Sequence, residues 1–156
     1  MLFRSVVHLR TFSKAYGMAG ARIGYAMAPA PLVEALDKVR NHFGVSRVAQ
    51  AGALAALDDD DFVRDVVAEV ERGKGEYADL ARALGTAIVP SATNFVALDA
   101  GDGTRARALM TALLERGVFV RMPGVAPLDR CIRITVGPAS ERAVLSEQLR
   151  AAWKEV

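Results

Sequence analysis

Residues 11–25 read TFSKAYGMAGARIGY. A lysine stands among hydroxyls and glycines, and an arginine follows eight positions later. A solvated lysine needs no particular company, because water satisfies its charge. Here the flanks are the residue types that build an anion site: Thr11 and Ser13 offer neutral donors, and Arg22 offers a charge-assisted one. Gly17, Gly20 and Gly24 permit tight turns and close backbone approach. On either side, VVHLR at 6–10 predicts a short buried strand and RIGYAMA at 22–28 a second. Lys14 therefore falls just past a strand end, in a glycine-punctuated loop.

The chain has 156 residues, 52% of them hydrophobic and 24% charged, which is globular material long enough for one substantial core or two small ones. Its longest apolar runs, such as AGALAAL at 51–57, fall well short of the roughly 20 residues a spanning helix needs. No stretch has the pattern of a secretory signal. The expectation is a cytoplasmic protein with no membrane partner. A single cysteine, Cys131, leaves no internal disulfide and no Cys-cluster metal site, and the isolated His8 and His42 form no ligand pair. No metal is expected. The net charge of +2 is spread among acids and bases without a basic patch, so no nucleic-acid partner is expected either. Only four of the twenty basic residues are lysine, which makes the setting of Lys14 more telling.

Beyond the loop, Leu32, Ala35, Leu36 and Val39 recur at helical spacing over 31–43, and a more apolar helix is predicted over 45–57. The acidic residues 58–61 open a long amphipathic helix in which Phe62, Val66, Val70 and Tyr77 recur at helical spacing and which ends near Gly85. After it the period changes to two. Short β-rich runs at 86–89, 94–99, 118–121 and 131–136 surround a helix over about 104–116, and a last helix opens at 138–141, with Ser140 as its N-cap, and runs to Trp153. The fold class is α/β: residues 1–45 read as the end of a larger sheet, and residues 46–156 as a small α+β layer domain.

A lysine becomes a catalyst when its amine is held near a carbonyl carbon and kept substantially deprotonated, so that it can form a Schiff base. Hydroxyls and a guanidinium beside it suit a phosphate. An aldehyde that carries a phosphate is pyridoxal 5′-phosphate.

The pattern S-K-x-x-G-x-x-G-x-R-x-G-Y, formed by Ser13, Lys14, Gly17, Gly20, Arg22, Gly24 and Tyr25, resembles the cofactor-lysine motif of fold-type I aminotransferases. The surrounding VVHLRTFSKAYGMAGARIGYAMA is similar in particular to histidinol-phosphate aminotransferases and their aromatic-aminotransferase relatives. SATNFVAL at 91–98 and CIRITVG at 131–137 resemble two further strands of that family. The resemblance implies that Lys14 bonds the cofactor, that Thr11, Ser13 and Arg22 hold its phosphate, and that Arg133 grips the substrate carboxylate. Arg121, in GVFVRMPG, falls where histidinol-phosphate aminotransferases carry an arginine for the substrate's phosphate. The implied reaction moves an amino group between histidinol phosphate, or an aromatic amino acid, and 2-oxoglutarate. Its partners are a small-molecule amino donor and a 2-oxo acid acceptor, and the intact enzyme is a homodimer.

Complete enzymes of that family are more than twice this length, and their preceding part supplies the acid for the cofactor's pyridine nitrogen and the ring that stacks on it. The chain thus reads as a C-terminal portion, expected to have little or no transaminase activity alone, and MLFRS at 1–5 does not resemble the family's lead-in. A decarboxylase of a phosphorylated amino acid has a similar lysine region, and a non-catalytic interaction module could keep the small-domain fold. Without the resemblance, Lys14 and Arg121 read as solvated side chains and Arg22 and Arg133 as members of structural ion pairs. Asn94 satisfies local backbone groups, and Tyr25 and Trp153 pack. His8, His42 and Cys131 have no catalytic part.

Overall fold

The structure is a computed structural model that describes residues 6–156; the MLFRS segment lies outside the described residues. The chain divides after Val67 into two compact units.

In the first unit, β1 (His8–Thr11) pairs antiparallel with β2 (Gly24–Met27), matching His8 to Met27 and Thr11 to Gly24. The register brings the backbone close at Gly24, where a Cβ would lie 2.6 Å from the Arg10 carbonyl oxygen. The ladder was expected to be buried, yet Leu9 is 70% exposed and Tyr25 and Met27 are exposed too. Two strands have no sheet neighbour to cover them, so only the loop end is packed. Two helices follow, α1 (Ala30–Asp37) and α2 (Arg47–Leu57). The first is shorter than its apolar spacing predicts. Its chain leaves the helix into a turn closed by Gly44 N–H donating to the Asn41 carbonyl at 3.2 Å, with Phe43 in the left-handed region at φ 59°. As a helix start, α2 is legible in the sequence: the Ser46 hydroxyl accepts from Ala49 N–H at 3.1 Å.

The chain passes from one unit to the other along α3 (Asp60–Ala83). Its acidic start forms as expected, with the Asp59 carboxylate accepting from Phe62 N–H at 3.0 Å.

The second unit is a three-stranded antiparallel sheet in the order β3 (Ile88–Val89), β4 (Phe95–Asp99), β5 (Cys131–Thr135). It is completed by α4 (Gly103–Glu115) and α5 (Ala139–Glu155). Alternation sends Val96, Leu98, Ile132 and Ile134 to one face. There they bury with Tyr77, Leu80 and Ala81 of α3, Leu109 and Leu113 of α4, and Leu145 and Leu149 of α5. Asp102 caps α4 by accepting from Thr104 N–H and Arg105 N–H at 2.8 and 2.9 Å, and those two bonds hold its carboxyl below the usual range.

Two sequence expectations fail here for local reasons. The run 118–121 makes only one bridge, Arg121 to Arg133, and no strand. Val118 N–H is taken by the Leu113 carbonyl at the end of α4, at 2.8 Å, and Pro123 has no N–H to extend the pairing. Ser140 does not cap α5. The Pro138 carbonyl already accepts from Arg142 N–H at 3.0 Å, so the cap position is Pro138, and Ser140 lies inside the first turn. Among the described residues no helix is long and apolar enough to cross a membrane.

Glycines inside α3 test how tightly the second unit packs. At Gly73 a Cβ would sit 2.4 Å from Val136 Cγ1 and 2.8 Å from Arg142 Cδ, whereas at Gly75 it would meet nothing within 4 Å. Gly75→Ala is therefore expected to stabilise by roughly 0.5–1 kcal/mol through helix propensity. Gly73→Ala is expected to cost about 1–3 kcal/mol through overpacking. Urea denaturation of the two variants separates them; equal effects would mean that α3 does not approach Val136 this closely.

Candidate active site

The loop that joins β1 to β2 gathers four of the expected residues at one end of the ladder. Thr11 is the last residue of β1, opposite Gly24, and beyond it Phe12 N–H donates to the Ile23 carbonyl at 3.3 Å. Ser13 and Arg22 thus continue the two strands just past that bond, and Lys14 follows. Thr11 Oγ1 donates to Ser13 Oγ at 2.9 Å and accepts from Ser13 N–H at 3.1 Å, which ties the two hydroxyls into one small cluster. The loop is anchored by Phe12, the most buried residue in it, whose ring lies 4.8 Å from Tyr16 and 5.9 Å from Tyr25. Tyr25 thus touches the Phe12 ring while staying 39% exposed. A depression of about 340 Å³ lies beside this anchor, lined by Phe12, Ile23, Tyr25, Gln50, Ala53 and Leu57 among others.

Arg22 is held in the left-handed region, at φ 53° and ψ 47°. A non-glycine residue there carries about 1–3 kcal/mol of strain. One of its five N–H donors is spent on the Ala19 carbonyl, at 2.8 Å, and four are left for another group. Lys14 is exposed, and no carboxylate lies within ion-pair distance of it among the described residues. Two neutral hydroxyls, one guanidinium and one free amine at the end of a ladder form a donor set that fits a phosphorylated aldehyde.

The other two expected residues lie in the second unit, and the fold brings them together. Arg121 N–H donates to the Arg133 carbonyl at 3.2 Å and Arg133 N–H to the Arg121 carbonyl at 2.5 Å, so the two form one rung. Directly opposed residues share a face of the sheet, and like charges so placed repel. Neither has a carboxylate within ion-pair distance among the described residues. Each guanidinium instead lies over a ring, Arg133 at 5.0 Å from Phe95 and Arg121 at 5.7 Å from Phe119. A ring face offsets a cation only weakly. An anion that bridges both guanidiniums would turn the repulsion of the rung into attraction.

The remaining sequence readings fall as follows. The Asn94 main-chain carbonyl accepts from Val136 N–H at 2.9 Å, a bond to a distant segment rather than to local backbone. Cys131 is buried, which pushes its thiol up and leaves it inert. Trp153 packs against the core with the Arg105 guanidinium 4.2 Å from its ring.

Arg142 was not singled out from the sequence, yet it is the buried charge of the second unit, only 2% exposed. Its Nε and Nη2 donate to Glu76 at 2.7 and 3.0 Å, and its Nη1 to Glu69 at 2.6 Å and to the Gly137 carbonyl at 2.8 Å. The available signal was the spacing of Glu69, Gly73 and Glu76 along one face of α3, two acids around a residue with no side chain.

The chain matches the model of aminotransferases of class I and II over residues 4–151. It is 41% identical over 147 residues to histidinol-phosphate aminotransferase 2 of Carboxydothermus hydrogenoformans, covering 94% of this chain and 40% of that protein. It is 38% identical over 151 residues to the histidinol-phosphate aminotransferase of Bacillus subtilis, with 94% and 41% covered. The crystal structure of histidinol-phosphate aminotransferase from Sinorhizobium meliloti in complex with pyridoxal-5′-phosphate superposes with a TM-score of 0.93 at 45% identity, over 97% of this chain and 42% of that one. L-threonine-O-3-phosphate decarboxylase from Porphyromonas gingivalis shares the fold, with a TM-score of 0.72 at 22% identity over 97% and 47%. The chain thus spans about 40% of the length of the curated relatives it matches. With its lysine loop, its sheet and its match over residues 4–151 in agreement, the chain belongs to the class I and II aminotransferases.

Proposed function

We propose that a whole protein containing this chain transfers an amino group between histidinol phosphate and 2-oxoglutarate, with pyridoxal 5′-phosphate held at the loop of residues 11–22. The observation that carries this reading is the loop itself: the bonded hydroxyls of Thr11 and Ser13 stand at one ladder end, and Lys14 and Arg22 follow just past the last rung. Their donor chemistry fits the cofactor named in the Sinorhizobium meliloti complex. When bound, pyridoxal phosphate supplies the electron sink that makes a C–H bond of the substrate amine acidic.

The chain's own residues do the rest. Ser13 would donate to a phosphate oxygen as a neutral group, Thr11 would join it by turning its one O–H from Ser13 to the phosphate, and Arg22 would donate as a charged group. Lys14 would hold the cofactor through Nζ and would take and return the substrate's proton at that same atom. Arg133 and Arg121 receive one substrate anion at a time on their shared rung, a carboxylate gripped by Arg133 in one half-reaction and the phosphate, with Arg121 beside it, in the other. In this reading residues 1–45 belong to the large cofactor-binding domain and 46–156 to the small domain, and the exposed faces of β1 and β2 accord with membership of a larger sheet. The intact protein works as a homodimer in the cytoplasm.

The test is the specificity constant of Arg121→Ala and Arg133→Ala, in the full-length protein, for histidinol phosphate, phenylalanine and glutamate. A charge-assisted contact contributes about 1.5–3 kcal/mol, or roughly ten- to a hundredfold. Arg133→Ala is expected to impair the carboxylate-bearing substrates by that factor, and Arg121→Ala to harm histidinol phosphate more than phenylalanine. Equal losses with and without the phosphate in Arg121→Ala would remove the histidinol-phosphate assignment and leave an aminotransferase of another substrate.

A further inference from the structure

The strand that carries Arg133 does not end freely. Immediately after β5, Val136 N–H donates to the Asn94 carbonyl at 2.9 Å, and the Gly137 carbonyl accepts from Arg142 Nη1 at 2.8 Å. Arg142 in turn is locked to α3 by both oxygens of Glu76 and by Glu69. The absent side chain of Gly73 lets α3 come close enough to touch Val136 and the Arg142 stem. The exit of β5 is therefore gripped from β4 on one side and from α3 on the other.

Stability alone explains this arrangement poorly. Arg142 sits in the first turn of α5, where the helix dipole disfavours a cation. Its guanidinium cannot shed its proton to escape burial. Buried ion clusters of this kind are weak stabilisers compared with apolar packing of the same volume. What the cluster does supply is geometry, because a planar fork with four hydrogen bonds has one orientation. A strand transmits a displacement of its end along its length, and Arg133 lies four residues before Gly137 on the same rung as Arg121.

We propose that Arg142, with Glu69 and Glu76, is a positioning group for the Arg133 anion site: it fixes the height of β5 so that the two guanidiniums of the rung meet one anion. This rests on the reading of Arg133 given above. Arg142 touches no substrate and acts only through the strand.

The experiment is a double-mutant cycle in the full-length protein, read by the dissociation constant of maleate, a non-reacting dicarboxylate, with melting temperatures recorded alongside. Arg142→Lys keeps the charge but loses the fork, so the strand end shifts. In the native background it is expected to weaken maleate roughly tenfold, since small misplacements of a binding group carry such factors. In an Arg133→Ala background it is expected to change maleate binding less than twofold, because the group it positions is gone. Arg142→Met, which fills the stem volume without any tie to Gly137, serves as the second variant if the lysine variant does not fold, and the same pattern is expected. Equal losses in both backgrounds, or undiminished maleate binding in a folded Arg142 variant, would overturn the positioning role. Unchanged maleate affinity in Arg133→Ala by itself would instead refute the anion-binding reading of Arg133, and the positioning role with it.

Discussion

Lys14→Ala in the full-length protein is expected to lower turnover by at least about a thousandfold and to remove the visible absorption of the lysine-bound cofactor. The size follows from two losses at one atom. A positioned acid–base group contributes roughly 10²–10⁴-fold, and the covalent hold on the cofactor goes with it. The structure makes the loss specific. Among the described residues Lys14 has no ion-pair partner whose removal could disturb the fold, and the loop is held by the buried Phe12 and the Thr11–Ser13 hydroxyl pair. The thermal stability of the cofactor-free protein should accordingly stay near that of the parent. Arg22→Ala should behave differently, weakening retention of the cofactor on dialysis while leaving a measurable rate in its excess. The deciding measurement is borohydride reduction of the loaded parent enzyme followed by peptide mapping. A label on any lysine other than Lys14 would overturn the assignment.

The second large effect concerns stability. Glu76→Leu is expected to destabilise by about 2–4 kcal/mol, because the buried guanidinium loses its two-pronged partner and keeps only Glu69 to balance a charge it cannot shed. Arg142→Met is expected to cost less. It removes the buried charge, retains much of the stem volume, and leaves two carboxylates that are 36% and 47% exposed and can take up water. Urea denaturation of the full-length variants compares them, and a costlier Arg142→Met would contradict the argument. The same pair sets an acid limit. The hydrogen bonds from Arg142 hold the Glu76 carboxyl below its usual range. A group whose folded pKa is depressed contributes stability above its unfolded pKa, near 4.3, and loses it as pH falls through the lower folded value. Stability of the parent should therefore fall more steeply below roughly pH 4 than that of Glu76→Gln. Parallel acid profiles would show that the pair is not linked to folding.

Much of the molecule was legible along the chain because the deciding interactions are local. The caps of α2, α3 and α4 join residues two or three positions apart, Ser46 to Ala49, Asp59 to Phe62, Asp102 to Thr104 and Arg105. The lysine loop is equally local: Thr11, Ser13, Lys14 and Arg22 lie within twelve residues, and one antiparallel register sets them at the same end of the ladder. Serine at 140 misled for the same kind of reason, since a cap-type residue two positions late satisfies the sequence pattern while Pro138 already serves the backbone. What the tertiary structure alone decided was the fate of charge across long separations. Arg121 and Arg133 face each other only because residues 118–121 make a single rung, with Val118 claimed by the end of α4. Arg142 meets its acids across 66 and 73 positions, at a place where Gly73 lets a helix come close. Amphipathic period and turn chemistry report which face a residue turns toward the core. They carry no information on which distant chain arrives there, and for a buried arginine that arrival determines whether its charge can be borne at all.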